Sequence, residues 1–86
     1  MQTNNMGNIV LGSPNLETSV AGVEILPVPV RVINLAFEND QACHIKVNDL
    51  GDYFYLKAGQ GKLIDICTSL RVEEAGITFN WTGQKG

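Results

Sequence analysis

Turn-forming residues recur roughly every 8 to 12 residues along most of this chain, a spacing typical of β-sandwiches and β-barrels. The segments between the turns are short, and in several of them apolar and polar residues alternate, as they do in a strand with one buried face. No stretch longer than a turn or two shows the apolar period of an amphipathic helix. The turns fall at 38–41, 48–52, 58–61 and 74–76. This pattern predicts an all-β fold.

The alternation also indicates which side chains face the core. The inward residues are predicted to be Ile33, Leu35 and Phe37 in one strand, Cys43, Ile45 and Val47 in the next, and Ile77, Phe79 and Trp81 in the last. Between 63 and 67, two adjacent apolar pairs leave the inward face undecided. The chain has 86 residues, enough for a single domain. We therefore predict a compact antiparallel β-sandwich of six or seven short strands over residues 20–86.

Residues 1–19 differ in composition from the rest of the chain. They are rich in Asn, Gly, Ser, Thr and Gln, with Glu17 as their single charge. Their one apolar run is Ile9, Val10 and Leu11, which precedes a turn at 12–15. A segment of this kind cannot offset its own ordering entropy. We expect an extended N-terminal arm whose apolar run contacts a neighbouring protein; an unstructured tail is the alternative.

The charge distribution bears on possible partners and location. The net charge is −3, and the six basic residues are scattered along the chain. Phosphate binding needs several cations on one face, so we expect neither nucleic acid nor an anionic membrane surface as a partner. No segment approaches the roughly 18 to 20 consecutive apolar residues of a membrane span, and the N-terminus has no signal-peptide pattern. The protein is therefore expected to be made in a cytoplasm.

Metal and phosphate sites find little support in the residue types present. Zinc takes about four Cys, His or carboxylate ligands, whereas the chain has two Cys and one His, and the neighbours Cys43 and His44 point to opposite faces of a strand. Asn and Asp in the turn at 48–52 match turn chemistry better than a calcium loop. The 57–62 segment lacks the residues of a phosphate loop, and we predict a hairpin with glycines at its tip.

Catalysis is also not expected from this sequence. His44 is the only histidine and shares a strand face with Lys46, so it is predicted to lie in solvent. Glu73 and Glu74 are neighbours whose side chains should diverge in a strand. Cys43 and Cys67 are predicted to be buried, reduced thiols, with a single disulfide as the alternative. We predict a non-enzymatic protein with no catalytic residue, no cofactor and no metal.

Aromatic residues are the remaining candidates for a binding surface. Trp81 alternates with other inward residues and is predicted to lie in the core. If Phe54 and Leu56 face inward, then Tyr53 and Tyr55 face outward, where they suit a protein interface or a sugar ring.

The stretch from 32 to 83 resembles small structural proteins and C-terminal β-modules of tailed-bacteriophage virions. The resemblance rests on INLAFENDQACHIKVND, FYLKAGQGKLID and LRVEEAGITFNWTG, which begin at Ile33, Phe54 and Leu70. It implies a sandwich that forms oligomers or docks on a major capsid or tail protein, acting as a capsid decoration, head-fibre or tail component located in the virion. A carbohydrate-binding module for host or cell-surface glycans is the alternative, and an accessory subunit of an enzyme is a third.

Overall fold

Eight short antiparallel strands make up the computed structural model, which describes residues 10–13, 15–27 and 31–86. The all-β prediction is confirmed, and two of the eight strands come from the segment predicted to be an arm. No helix among the described residues is long and apolar enough to cross a membrane. The strands are β1 (Val10–Gly12), β2 (Glu17–Thr18), β3 (Val32–Asn39), β4 (Cys43–Val47), β5 (Phe54–Leu56), β6 (Lys62–Cys67), β7 (Leu70–Val72) and β8 (Thr78–Lys85).

The strands form two sheets that pack face to face. The five-stranded sheet has the order β1-β8-β3-β6, with β2 beside β1 on the same edge of β8. The three-stranded sheet has the order β5-β4-β7. The chain crosses between the sheets at β3–β4, β5–β6, β6–β7 and β7–β8, so most of its tight turns join different sheets. This is the antiparallel sandwich that the sequence predicts.

Both sheets contribute to one hydrophobic core. The Phe37 and Phe79 rings stack there with their centroids 5.5 Å apart, and Trp81 is only 4% exposed. The inward prediction for the last strand is therefore confirmed, as is the burial of Cys43 and Ile45. The buried core residues are Leu26, Val32, Leu35, Phe37, Ile64, Cys67, Ile77, Phe79 and Trp81, together with Cys43, Ile45, Leu56, Leu70 and Val72 around the three-stranded sheet.

A bulge in β3 overturns the prediction for Ile33. Asn34 has a positive φ of 52°, and the register of β3 against β8 shifts between Ile33 and Ala36. Because the bulge adds one residue to the alternation, Val32 and Leu35 face the core and Ile33 turns to the outside. Gly83 lies beside this bulge, and a Cβ at that position would collide with Val32.

The described part of the N-terminal segment is hydrogen-bonded to β8 of its own chain. The Ser13 hydroxyl accepts a hydrogen bond from the Trp81 N–H at 3.1 Å, and the Ser19 hydroxyl accepts one from the Ile77 N–H at 2.9 Å. Both serines are buried. Residues 10–13 and 15–19 thus form one edge of the five-stranded sheet, while the division into an arm at 1–19 and a domain at 20–86 stays a prediction.

The 57–61 segment is a turn between the two sheets, so the prediction of a hairpin is wrong. It joins β5 of one sheet to β6 of the other. The buried Asn39 side chain organises it, donating to the Gln41 and Lys57 carbonyls at 2.8 and 2.9 Å and accepting from the Gly61 N–H at 3.0 Å. Gly61 has a φ of 67° and lies so close to Phe37 that a Cβ would stand 2.7 Å from its carbonyl oxygen.

Candidate functional site

The outer face of the five-stranded sheet carries two rows of side chains that run across four strands. Their positions follow from the register, because residues opposite one another in neighbouring strands share a face. The first row is Val10, Gln84, Ile33 and Ile66. The second row is Gly12, Thr82, Ala36 and Leu63. We call these eight positions the uncharged face, since none of them holds an ionisable side chain. The next cross-strand pair on the same side of the sheet, Glu38 and Asn80, lies beyond it.

The apolar side chains of the uncharged face are well exposed at its two margins. Leu63 is 79% exposed, Val10 71% and Ile66 51%, while Ile33 and Ala36 between them are half-buried. These side chains lie outside because their neighbours along each strand, such as Val32 and Leu35, occupy the core. The face therefore presents aliphatic surface to solvent without a cover among the described residues.

The outer face of the three-stranded sheet is different, and we call it the charged face. The cross-strand pairs His44–Tyr55 and Lys46–Arg71 lie on it. Tyr55 packs beside His44 with the two ring centroids 5.4 Å apart. The Arg71 guanidinium donates to the Asp49 carboxylate at 3.1 Å and to a main-chain carbonyl at 2.9 Å. The polar groups of this face are thus largely bonded to one another.

At the centre of the charged face, the carboxylates of Glu73 and Glu74 contact His44, and we call this group the carboxylate clamp. Glu74 accepts hydrogen bonds from the His44 N–H at 2.8 Å and shares a hydrogen bond with the imidazole Nδ1 at 2.5 Å. Glu73 Oε1 lies 3.8 Å from the same Nδ1. His44 lies on the outer face with Lys46, as predicted, and its side chain is 41% exposed. The prediction that the two glutamates diverge is wrong. The glutamates lie in the bend after β7, where strand alternation does not apply, and both reach His44.

The clamp changes the titration of Glu74. Partial desolvation raises the pKa of this carboxyl. Hydrogen bonds from the His44 main-chain N–H and imidazole, together with the electrostatic effect of His44, lower it by more. The net pKa of Glu74 therefore lies below its ordinary value. The clamp ties β4 to the bend between β7 and β8.

Three ligand-type side chains converge at this point. One ligand atom from each of His44, Glu73 and Glu74 lies within 4.8 Å of the others. Imidazole nitrogens and carboxylate oxygens are common zinc ligands. The sequence did not predict that these three side chains converge. Both oxygens of Glu74, however, are already hydrogen-bonded to His44, so the structure accounts for the cluster as an internal hydrogen-bonded group.

The residues predicted to form an interface do not come together. Val10 lies on the uncharged face, whereas Leu11 packs against the core of its own chain. Tyr55 lies on the charged face at 55% exposure, and the half-buried Tyr53 has the Lys46 ammonium 5.1 Å from its ring centroid. Ile9 falls outside the described residues. The two outer faces are on opposite sides of the core, so these residues belong to separate surfaces.

The thiols offer no accessible nucleophile. Cys43 and Cys67 are both buried and free. Burial, followed by the nearby Glu74 charge, raises the pKa of Cys43 to about 11. Burial also raises the pKa of Cys67, partly offset by a hydrogen bond to the Ser69 carbonyl. Both groups act as small apolar side chains at neutral pH.

Comparison with known proteins gave no matching family model, no similar curated protein and no similar solved structure. The site is therefore defined by geometry alone. The sequence interpretation placed Ile33 in the core and left the inward face of the 63–67 strand undecided, so it did not identify Ile33, Leu63 and Ile66 as surface residues. The adjacent apolar pairs around 63–67 could have indicated this surface. A strand with apolar residues on both faces is expected to be covered on both sides.

Proposed function

We propose that this chain is a non-enzymatic structural protein that assembles with other protein subunits through the uncharged face. The observation that carries this proposal is the pair of cross-strand rows, which expose aliphatic side chains and hold no charge. Contiguous apolar patches on small domains mark interaction surfaces. The net charge of −3 makes identical subunits repel one another, and an uncharged face is where that repulsion is weakest.

The setting we propose is the virion of a tailed bacteriophage, as a capsid decoration, head-fibre or tail component. The support for this setting is the resemblance seen in the sequence pattern of residues 32–83. A symmetric lattice suits a small domain for two physical reasons. Weak contacts sum over many copies, and partner binding adds to the folding stability of a domain with a thin margin.

Carbohydrate binding is a second candidate, favoured by one observation on the charged face. Tyr55 exposes its ring beside the His44 imidazole, and Glu73 lies close to that imidazole. An exposed aromatic ring flanked by hydrogen-bonding groups is suited to stacking on a sugar. In this role the charged face would bind the ligand and the uncharged face would not be required.

A pair of lysine substitutions separates the two candidates. Ile33→Lys places a charge at the centre of the uncharged face, and Tyr55→Lys is the matched control on the opposite face. We expect sedimentation velocity to show assembly for the wild-type chain and for Tyr55→Lys, and strongly reduced assembly for Ile33→Lys. Circular dichroism confirms that each variant is folded.

Two results would contradict the assembly function. One is a wild-type chain that remains monomeric at every concentration tested. The other is a set of variants in which Tyr55→Lys, and not Ile33→Lys, prevents assembly. Binding to a glycan array that is lost in Tyr55→Lys would then favour the carbohydrate candidate.

A further inference from the structure

Among the described residues, the carboxylate clamp is the one place where three side chains able to bind a metal ion converge. The imidazole Nδ1 of His44 lies 2.5 Å from Glu74 Oε2 and 3.8 Å from Glu73 Oε1. The His44 side chain is 41% exposed, that of Glu74 36% and that of Glu73 55%, so ions in solvent can reach all three. The clamp is therefore an accessible group of ligand atoms at the protein surface.

The main chain holds the two glutamates against His44. The Glu73 N–H donates a hydrogen bond to the His44 carbonyl at 2.8 Å, and the His44 N–H donates one to Glu74 Oε1 at the same distance. On the other side of the bend, the Ser19 hydroxyl donates to the Glu74 carbonyl at 2.7 Å. These hydrogen bonds leave the Glu73 carboxylate and Glu74 Oε2 beside Nδ1, so the ligand atoms are positioned before any ion arrives.

The negative charge of the clamp is only partly balanced within the chain. Two carboxylates face one imidazole, and no lysine or arginine in the described ranges lies within ion-pair distance of either glutamate. The other cations of the charged face have partners elsewhere, since Lys46 lies over the Tyr53 ring and Arg71 is bonded to Asp49. A divalent cation at the clamp would therefore be attracted by two carboxylates with no competing cationic side chain.

The distances in the clamp are near those of a tetrahedral zinc site. Zinc binds imidazole nitrogen and carboxylate oxygen at about 2.0 to 2.2 Å, which places neighbouring ligand atoms about 3.4 Å apart. To admit the ion, the 2.5 Å contact between Nδ1 and Glu74 must lengthen and the 3.8 Å distance from Nδ1 to Glu73 must shorten. Both changes are below 1 Å or about that size, and side-chain rotation of the two exposed glutamates supplies them.

We propose that His44 Nδ1, Glu73 and Glu74 bind one zinc ion, which replaces the proton shared between Nδ1 and Glu74 Oε2. Zinc binds an imidazole nitrogen that carries no proton, so the displaced proton moves to solvent or to Nε2 of the same ring. Three protein ligands leave the fourth position of the tetrahedron to water. The bound ion ties β4 to the bend after β7. This site lies on the charged face, and it does not depend on assembly through the uncharged face.

The ligand set favours zinc over magnesium and calcium. Magnesium and calcium are hard cations that take six or more oxygen ligands, and the clamp offers two carboxylates and a nitrogen. Imidazole suits zinc and its neighbours among the transition metals. Calcium is therefore a control for attraction by charge alone.

Titration of the nitrogen-15-labelled chain with zinc chloride tests the site. His44 is the only histidine of the chain, so the two ring nitrogens seen by nuclear magnetic resonance belong to it without ambiguity. We expect the Nδ1 resonance to shift as zinc is added and to stop shifting at one equivalent, with the remaining ring proton on Nε2. Calcium chloride at the same concentration should leave both resonances unchanged.

Glu73→Gln separates a metal site from a purely hydrogen-bonded clamp. The Glu73 carboxylate is too far from the imidazole for a hydrogen bond, so its loss should leave the metal-free clamp in place. Zinc affinity measured by isothermal titration calorimetry should fall at least about tenfold, because a ligand is lost. Glu38→Gln is the matched control, since it removes the same charge from an exposed glutamate on the other sheet and should bind zinc as the wild-type chain does.

Four results would overturn the site. They are the absence of a zinc-dependent shift of the His44 nitrogens, a shift that places zinc on Nε2, equal zinc affinity of Glu73→Gln and the wild-type chain, and calcium binding as tight as that of zinc. Zinc that binds without moving the His44 resonances lies elsewhere on the chain and counts as the first of these results. Circular dichroism confirms that each variant is folded before its affinity is compared.

Discussion

The two outer faces of this sandwich differ in whether their side chains have partners within the chain. On the charged face, Glu74 is bonded to His44 and Arg71 is bonded to Asp49, so the polar groups find partners within the chain. The uncharged face exposes aliphatic side chains whose burial requires another molecule. Since burying apolar surface is the main favourable term in association, the second face is where a partner contributes most.

Substitution in the core beneath the uncharged face should cost the most stability. Trp81 is 4% exposed, and its main-chain N–H donates a hydrogen bond to the Ser13 hydroxyl. We expect Trp81→Ala to lower the free energy of unfolding by about 3 to 5 kcal/mol, because it removes a large side chain and leaves a cavity. Urea denaturation followed by circular dichroism measures this change. A loss within about half a kcal/mol would mean that Trp81 lies at the surface.

A smaller effect is expected from the clamp on the charged face. Glu74→Gln keeps the size of the side chain and removes the charge that His44 contacts. Charge-assisted hydrogen bonds contribute about 1.5 to 3 kcal/mol when shielded, and solvent exposure of this pair reduces the expected loss to about 1 kcal/mol. Denaturation at neutral pH measures it. Glu73→Gln is the matched control, since its carboxylate lies 3.8 Å from the imidazole and should matter less.

The same clamp predicts a dependence of stability on pH. The folded pKa of Glu74 lies below its ordinary value of 4.5, so the folded chain binds this proton less readily than the unfolded chain does. Glu74 therefore stabilises the fold above about pH 4.5, and the contribution is lost as the pH falls through the lower, folded pKa. Glu74→Gln should remove this part of the acid sensitivity. An unchanged pH profile in the variant would argue against the clamp.

The smallest expected effect on stability comes from the uncharged face itself. Leu63 is 79% exposed, so Leu63→Gln should change the free energy of unfolding of the monomer by no more than about half a kcal/mol. Assembly, in contrast, should weaken, since the substitution removes apolar surface that a partner covers. Denaturation in dilute solution and sedimentation at high concentration measure the two effects. A large loss of monomer stability would show that Leu63 supports the fold.

Local patterns predicted the strands well and the surfaces poorly. Strands such as β4 and β8 are regular, and their inward residues follow the alternation. These residues are Cys43 and Ile45 in β4, and Phe79 and Trp81 in β8. Ile33 was assigned to the wrong face because the bulge at Asn34 adds one residue to the strand. The residues before the bulge therefore point to the opposite side from the one that strict alternation predicts. The convergence of Glu73 and Glu74 on His44 was also missed. It joins residues about 30 positions apart through a bend, and no spacing in the sequence encodes that contact.

The all-β class, the positions of most turns and the burial of the last strand can be predicted from the amino-acid sequence alone. Period-two alternation and turn-forming residues act over a few residues, and they can be read without knowing where the chain goes next. Three features emerge only from the folded chain: which sheet each strand joins, the passage of the 57–61 turn between sheets, and which residues share the uncharged face. Those features depend on register between strands distant in sequence, and pairing is set by the packing of the whole core.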